Sequence, residues 1–249
     1  MAAKKVVRVK SDPASQASEP TWKPTPQAKS QATTLRIVAL VLWVVAIAIE
    51  GFAIFWVLKQ HSVNMVLLIG AIVGIAILSI IGSLLWKSAN RADPASTSEP
   101  LRFFIQNQLG AIIAIIAFLP LIAMIFMNKN MVGQQKVIAG GIGIVALVVA
   151  GLAGVSYNPP SVQQYDTETN VVVQYTGHDL VFWTKEGTVY HLCEAASAVN
   201  ETSKDNTIYS GTVGDAHAAG KDRLTLQVQQ ELKQCGFAAT PIPSASTGG

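Results

Sequence analysis

Charge is what this sequence has least of. Only 13% of its 249 residues are Asp, Glu, Lys or Arg, roughly half the share of about 25% usual in a soluble domain. The shortage is local. Residues 37–58, 65–86, 109–127 and 137–156 hold a single ionisable side chain between them, Glu50. Such runs exclude a wholly soluble globule. Each is long enough to cross a hydrocarbon core of about 30 Å, which takes roughly 20 helical residues. In lipid the backbone must satisfy its own hydrogen bonds, so the runs are expected to be helices. The first is not a secretory signal: Ala46-Ile47-Ala48 resembles a cleavage site, but apolar sequence continues beyond it to Leu58.

Other absences narrow the function. The bases are scattered and match no nucleic-acid-binding motif, so nucleic acid is not an expected partner. No nucleophile stands beside a recognisable base in sequence, and an enzyme is not expected. Cysteine occurs twice, at Cys193 and Cys235. Joined, the two would close a loop worth about 4 kcal/mol and would call for an oxidising compartment; reduced, they would fill a core. Both readings stay open. Four ligands for a structural zinc cannot be assembled from His191, His217, Cys193 and Cys235 at any recognised spacing. No metal or other cofactor is expected.

What is present is a plan. A disordered basic tail is expected over 1–34, four transmembrane helices within 35–157, a small α+β soluble domain over 158–237 and a second disordered tail over 238–249. The fold class is a membrane all-α four-helix bundle plus a small C-terminal α+β domain. Residues 1–36 carry seven bases and two acids, while 157–249 carry five bases and ten acids. The tail and the 87–108 loop together hold ten bases, against Lys59, Lys129 and Lys136 in the alternate loops. The positive-inside rule then puts both termini in the cytoplasm of a bacterial cell (inner) membrane.

Within the spans, Gly70 and Gly74 form a GxxxG, and Ala146, Ala150 and Gly154 repeat at the same interval. These small residues are expected to let helices approach closely. Trp43, Trp56 and Trp86 are expected at headgroup level, and Pro120 should kink the third helix. Ser98 is a candidate N-cap ahead of Pro100. Glu50 lies about 12 Å below the end of its run at 1.5 Å per residue. A charge there costs at least a few kcal/mol, so a neutral acid is expected. It can serve as a bonded packing residue, a contact for a partner membrane protein, or a proton-coupling group.

In the C-terminal region, residues 171–175 (VVVQY) read as a strand. Leu180–Thr184 and Thr188–Leu192 flank Lys185-Glu186-Gly187 as a hairpin. Ile208–Ser210 is another short strand. Thr212 and Asp215 form a capping pair for a helix ending at Gly220. Asp222 is expected to cap a longer helix with Leu224, Val228, Leu232 and Cys235 on one face.

The runs Val181-Phe182-Trp183-Thr184…Gly187-Thr188-Val189-Tyr190-His191 and Gly220-Lys221-Asp222-Arg223-Leu224 resemble a small bacterial zinc-knuckle-like domain. The whole chain is similar to uncharacterised actinobacterial four-helix membrane proteins that carry it. Where that family has its cysteines this chain has Ala196, Thr225 and Val228, so the resemblance implies a ligand-stripped domain. The function expected is a non-enzymatic accessory or scaffolding subunit. Its partners would be the lipid bilayer and other membrane proteins, including a larger assembly such as a respiratory complex. The competing expectation is a sensor or proton-coupled transporter-like module using Glu50.

Overall fold

The computed structural model describes residues 5–8 and 22–237. The tail expected over 238–249, with 1–4 and 9–21 of the N-terminal one, lies outside the described residues. The chain divides into a helical unit, residues 29–160, and a mixed unit made of residues 1–28 and 161–249. Among the described residues, 5–8 and 22–28 therefore belong to the same unit as 161–237.

Four helices of the kind expected are present: α1 (Pro26–Phe55), α2 (Met65–Ala92), α3 (Pro100–Met127) and α4 (Gly133–Gly154). All four are long and apolar enough to cross a membrane. Helix α1 begins well before its apolar run, and residues 26–34 are helical, not the disordered tail expected there. The reason is local. Thr25 Oγ1 accepts from Ala28 N at 3.2 Å, and Pro26 starts the helix, a position where its missing N–H costs nothing. The rest of the extension is Gln, Ala, Lys and Ser, and an existing apolar helix propagates through them cheaply. Helix α2 is capped by Asn64, whose side chain accepts from Leu67 N at 3.1 Å. Ser98 does not cap α3: its hydroxyl pairs with Ser96, and Glu99 takes the cap position with its backbone carbonyl receiving Phe103 N.

Helices α2, α3 and α4 make the tight centre of the helical unit. Helix α1 joins through a buried stripe of Ala32, Ala39, Trp43, Ala46, Glu50 and Ala53, spaced at sevens, fours and threes. Trp43 is thus inside the bundle, 1% exposed, with its ring beside that of Trp86 at 5.4 Å. Its ring lies over Gly82, where an added Cβ would fall 2.5 Å from the indole nitrogen. The tightest crossing is Gly110 on α3 against Gly154 on α4. A Cβ on Gly154 would stand 2.4 Å from backbone atoms of Gly110 and Ala111. The seam expected at Gly70 and Gly74 is not there: a Cβ at either would meet nothing within 4 Å. Ala150 is buried, and Ala146 packs at the edge of the same core.

The mixed unit has two small sheets. In the first, β4 (Thr207–Gly211) lies between β1 (Lys5–Arg8), parallel to it, and β2 (Val181–Trp183), antiparallel. In the second, β3 (Val189–Tyr190) pairs in parallel with β5 (Arg223–Leu224). The expected hairpin exists but forks. Phe182 and His191 exchange both backbone bonds at 2.8 Å, after which the two arms enter different sheets.

Two expectations for this unit are corrected. Residues 171–175 are the end of a helix, α5 (Val162–Thr176). Ser161 caps it through Gln164 N, and Gly177 closes it with φ of 80°. Tyr165, Val172 and Tyr175 form its buried stripe, and that helical spacing prevails over the β-propensity of the valines. Asp222 does not cap a helix either: Gln227 holds the N-cap position of the next one, and the N–H of Asp222 goes to Thr188 O. Residues 223–224 are strand, and the last helix, α8, is Val228–Cys235. A short α6 (Ser197–Thr202) precedes β4, and α7 (Val213–Ala218) follows it with the Thr212–Asp215 capping box in place.

Candidate functional site

Glu50 lies on the buried stripe of α1 at 5% exposure. Its carboxyl faces the backbone amide of Leu121, one residue beyond Pro120. Pro120 has no N–H to give to the carbonyl of Ile116, so the helical ladder of α3 lacks one bond at this level. Glu50 Oε1 itself has no hydrogen-bond partner among the described residues.

The mixed unit holds a denser polar centre. Helix α5 places Glu168 beside Tyr165, and α7 brings His217 against both. His217 Nε2 meets Glu168 Oε2 at 2.7 Å, and Nδ1 meets Lys221 O at 2.8 Å. Both ring nitrogens thus face oxygen atoms, one of Glu168 and one of Lys221. Tyr190 from β3 donates its hydroxyl to the same Glu168 oxygen. The His217 ring stacks on Tyr165 at 3.7 Å, and Trp22, from the N-terminal segment, packs edge-on against Tyr165. Burial pushes Glu168 upward, but the hydrogen bonds from His217 and Tyr190 outweigh it and hold the carboxyl below its ordinary value. Burial, reinforced by the charge of Glu168, holds the Tyr190 phenol far above its own.

A second buried pair lies at the start of α8. His191 Nδ1 meets Glu231 Oε1 at 2.6 Å, and Glu231 Oε2 accepts from Leu192 N at 3.0 Å. One helical turn further on, Cys235 is joined to Cys193 in a disulfide. Residues 191–193 are therefore fastened to α8 twice, once by a polar pair and once covalently. Of the two readings left open for the cysteines, the structure has the bond. Lys221, also buried, gives its ammonium to the carbonyls of Lys185 and Gly187 at 3.1 and 2.5 Å, bracing the tip of the fork.

Asp179 stands apart. Its Oδ1 accepts from Val213 N at 2.8 Å, but Oδ2 is buried without a partner among the described residues. Burial, with Asp215 nearby, raises its pKa to about 6 despite that one hydrogen bond.

His191 and His217 thus enter two separate polar pairs, and neither is brought to a common centre with the cysteines. No three His, Cys, Asp or Glu side chains among the described residues are arranged to hold a metal ion. Ala196 is buried, and Thr225 gives its backbone N–H to Tyr190 O. Sequence reasoning missed Glu168, Tyr190 and Glu231. A signal existed: Glu168 is three residues from Tyr165 and four from Val172, so it falls on the buried face once α5 is read as a helix. No family model, curated protein or solved structure matches this chain.

Proposed function

We propose that this chain is a multi-pass protein of the bacterial cell membrane acting as a non-enzymatic accessory or scaffolding subunit. In this reading the mixed unit is its docking module for other membrane proteins. One observation carries it: the buried acid–base groups of the mixed unit are mostly bonded to one another. Glu168 is held by His217 and Tyr190, Glu231 by His191 and Leu192 N, and Lys221 by two carbonyls. Saturated buried networks of this kind rigidify a surface, whereas catalysis needs groups free to exchange protons with a substrate. The likeness to ligand-stripped zinc-knuckle-like domains supports the same reading. Extraction of the full chain in mild detergent should bring down other membrane proteins in fixed ratio. Recovery of the chain alone, both from detergent and from lipid nanodiscs, would overturn the proposal.

Four spans put both termini on one side, and the base count puts that side in the cytoplasm. The Cys193–Cys235 bond pulls the other way, because cytosolic disulfides are rare and mostly transient or redox-sensing. We hold to the cytoplasmic side, with the bond forming there under oxidation. A reporter fused after Gly249 that is active only outside the cell decides against this placement if it reports.

The unpartnered Oε1 of Glu50 favours a second reading, in which protonation of this carboxyl shifts the bundle where α1 faces α3 beside Pro120. Glu50→Gln should then abolish pH dependence in the packing of α1 against α3, read by crosslinks between the two helices. The same crosslinking pattern at pH 5 and pH 8 in the unaltered protein would dismiss it.

A further inference from the structure

The helical unit carries a groove where apolar surface and cationic groups meet at helix ends. It is open to the surface and offers about 570 Å³ between α1, the end of α2 and the start of α3. Its long wall is Leu101, Ile105 and Leu109, at four-residue spacing along α3. Leu101 is 71% exposed and Ile105 44%. The opposite wall is Trp86, fixed by donating Nε1 to Gln106 O at 2.7 Å. Gln106 also lines the groove, but its amide nitrogen already serves Asn90 Oδ1 and Asp93 O, both at 3.2 Å.

The remaining lining residues are Arg36 and Arg102. Arg36 gives one N–H from each terminal nitrogen to Asp93, to Oδ2 at 2.6 Å and to the carbonyl at 2.8 Å. That fixes its guanidinium 5.9 Å above the Trp86 ring and leaves three of its five N–H groups unused by Asp93. Arg102 gives Nη1 to Glu99 at 3.2 Å in a pair that is mostly exposed, and such pairs yield readily to a better anion. A planar guanidinium suits phosphate oxygens.

The place in the chain matters as much as the lining. Helix α3 has 28 residues, about 42 Å at 1.5 Å per residue, which exceeds a hydrocarbon core of about 30 Å. Its apolar run is 109–127, and the first turns, with Arg102, Gln106, Asn107 and Gln108, precede it; on the spanning reading they belong to the headgroup region, where a phosphate and the upper part of an acyl chain are found together.

We propose that this groove binds one anionic phospholipid. An acyl chain lies between Trp86 and the Leu101–Ile105–Leu109 stripe, and the phosphate lies between Arg36 and Arg102. The inference rests on reading the four helices as membrane spans. A wash of membranes with alkaline carbonate tests that reading separately: loss of the chain into the wash refutes the spans and the lipid site with them.

The site itself is tested on full-length protein stripped of lipid in detergent. Phosphatidylglycerol with brominated chains is titrated against brominated phosphatidylcholine, and tryptophan quenching is read with Trp86→Phe as the control. Saturable quenching by phosphatidylglycerol at least tenfold tighter than by phosphatidylcholine is expected. Arg102→Gln, at an exposed position that leaves the fold intact, should reduce that preference to about twofold or less. Ile105→Phe, which narrows the groove without adding an indole to the quenching signal, should weaken the saturable phase. Equal binding of the two lipids would make this ordinary annular lipid and overturn the proposal. So would full displacement by millimolar inorganic phosphate, which would mean that the acyl chain contributes nothing. Protection of the groove by a co-purified protein, with no lipid preference, would overturn it in favour of a protein contact.

Discussion

The two units of this molecule handle buried polarity in opposite ways. In the helical unit the interior between the helix ends is shaped by small residues. Gly154 meets Gly110, Gly82 receives Trp43, and Glu50 is left with a carboxyl oxygen unbonded among the described residues. In the mixed unit Glu168 and Glu231 are drawn inside and tied to histidines, a covalent bond is added, and of the buried acids Asp179 keeps one oxygen without a partner among the described residues. The difference follows from the surroundings proposed for each. Helices surrounded by lipid gain nothing by hiding apolar surface from one another, so close backbone approach decides their association. A small water-facing unit has little core to bury, and cross-links make up the deficit.

Breaking the covalent link should separate the two units most sharply. Cys193 and Cys235 are 42 residues apart, and closing a loop of that length is worth about 4 kcal/mol in the chain-entropy model. Replacing both by Ser should lower the stability of the mixed unit by about that amount. Amide exchange measured on the full-length protein should show faster exchange in Ile208–Gly211 and Val172–Gln174, with none in α3 or α4. Reductant added to the unaltered protein should reproduce the loss. Equal acceleration in both units would erase the contrast between them.

How much of this could be read in advance also differs between the units. Helices α2, α3 and α4 were legible because an uncharged run of that length has few alternatives. The inward stripe of α1, Ala39, Trp43, Ala46, Glu50 and Ala53, was not read from its spacing, because Trp43 was assigned by the interfacial habit of its residue type. The GxxxG of Gly70 and Gly74 misled because the motif permits close approach without requiring it. In the mixed unit the capping pair Thr212–Asp215 was read correctly, since both partners lie within one turn. Strand β1 was not foreseen: Lys-Val-Val-Arg is too short to carry a period, and its partner β4 lies at the far end of the chain. The Cys193–Cys235 bond and the Glu168–His217–Tyr190 centre are likewise products of long-range folding. Each partner was visible, but no local rule joins them.

The second contrast concerns pH. Asp179 has its pKa raised to about 6 by burial, some two units above an ordinary aspartate, or about 3 kcal/mol. A raised carboxyl favours the folded state below its unfolded pKa of about 3.9, and that advantage is lost as pH rises through about 6. Glu168 behaves oppositely: its lowered pKa stabilises above about 4.3, and the benefit is lost as pH falls through the depressed folded value. The mixed unit should therefore gain up to about 3 kcal/mol as pH drops from 7 towards 4, then lose stability on further acidification. Asp179→Asn, which keeps an acceptor for Val213 N, should flatten the upper limb and raise stability at pH 7. An unchanged slope between pH 7 and 4 in this variant would show that another group sets it.

The smallest effect sharpens the helical side. Gly154→Ala sets a Cβ 2.4 Å from the backbone of Gly110 and Ala111. Because the obstruction is backbone and not the end of a flexible side chain, α3 and α4 must separate. Overpacking of this sort costs about 1–3 kcal/mol. Gly70→Ala and Gly74→Ala meet nothing within 4 Å and exchange glycine for a better helix former, worth up to about 1 kcal/mol in their favour. Unfolding of the full chain in mixed detergent micelles should place Gly154→Ala below the unaltered protein and both other variants at or above it. If Gly70→Ala proved as damaging as Gly154→Ala, that face of α2 would have to be covered by something outside this single chain. A second copy and a partner subunit would then be told apart by whether the loss depends on the protein's own concentration.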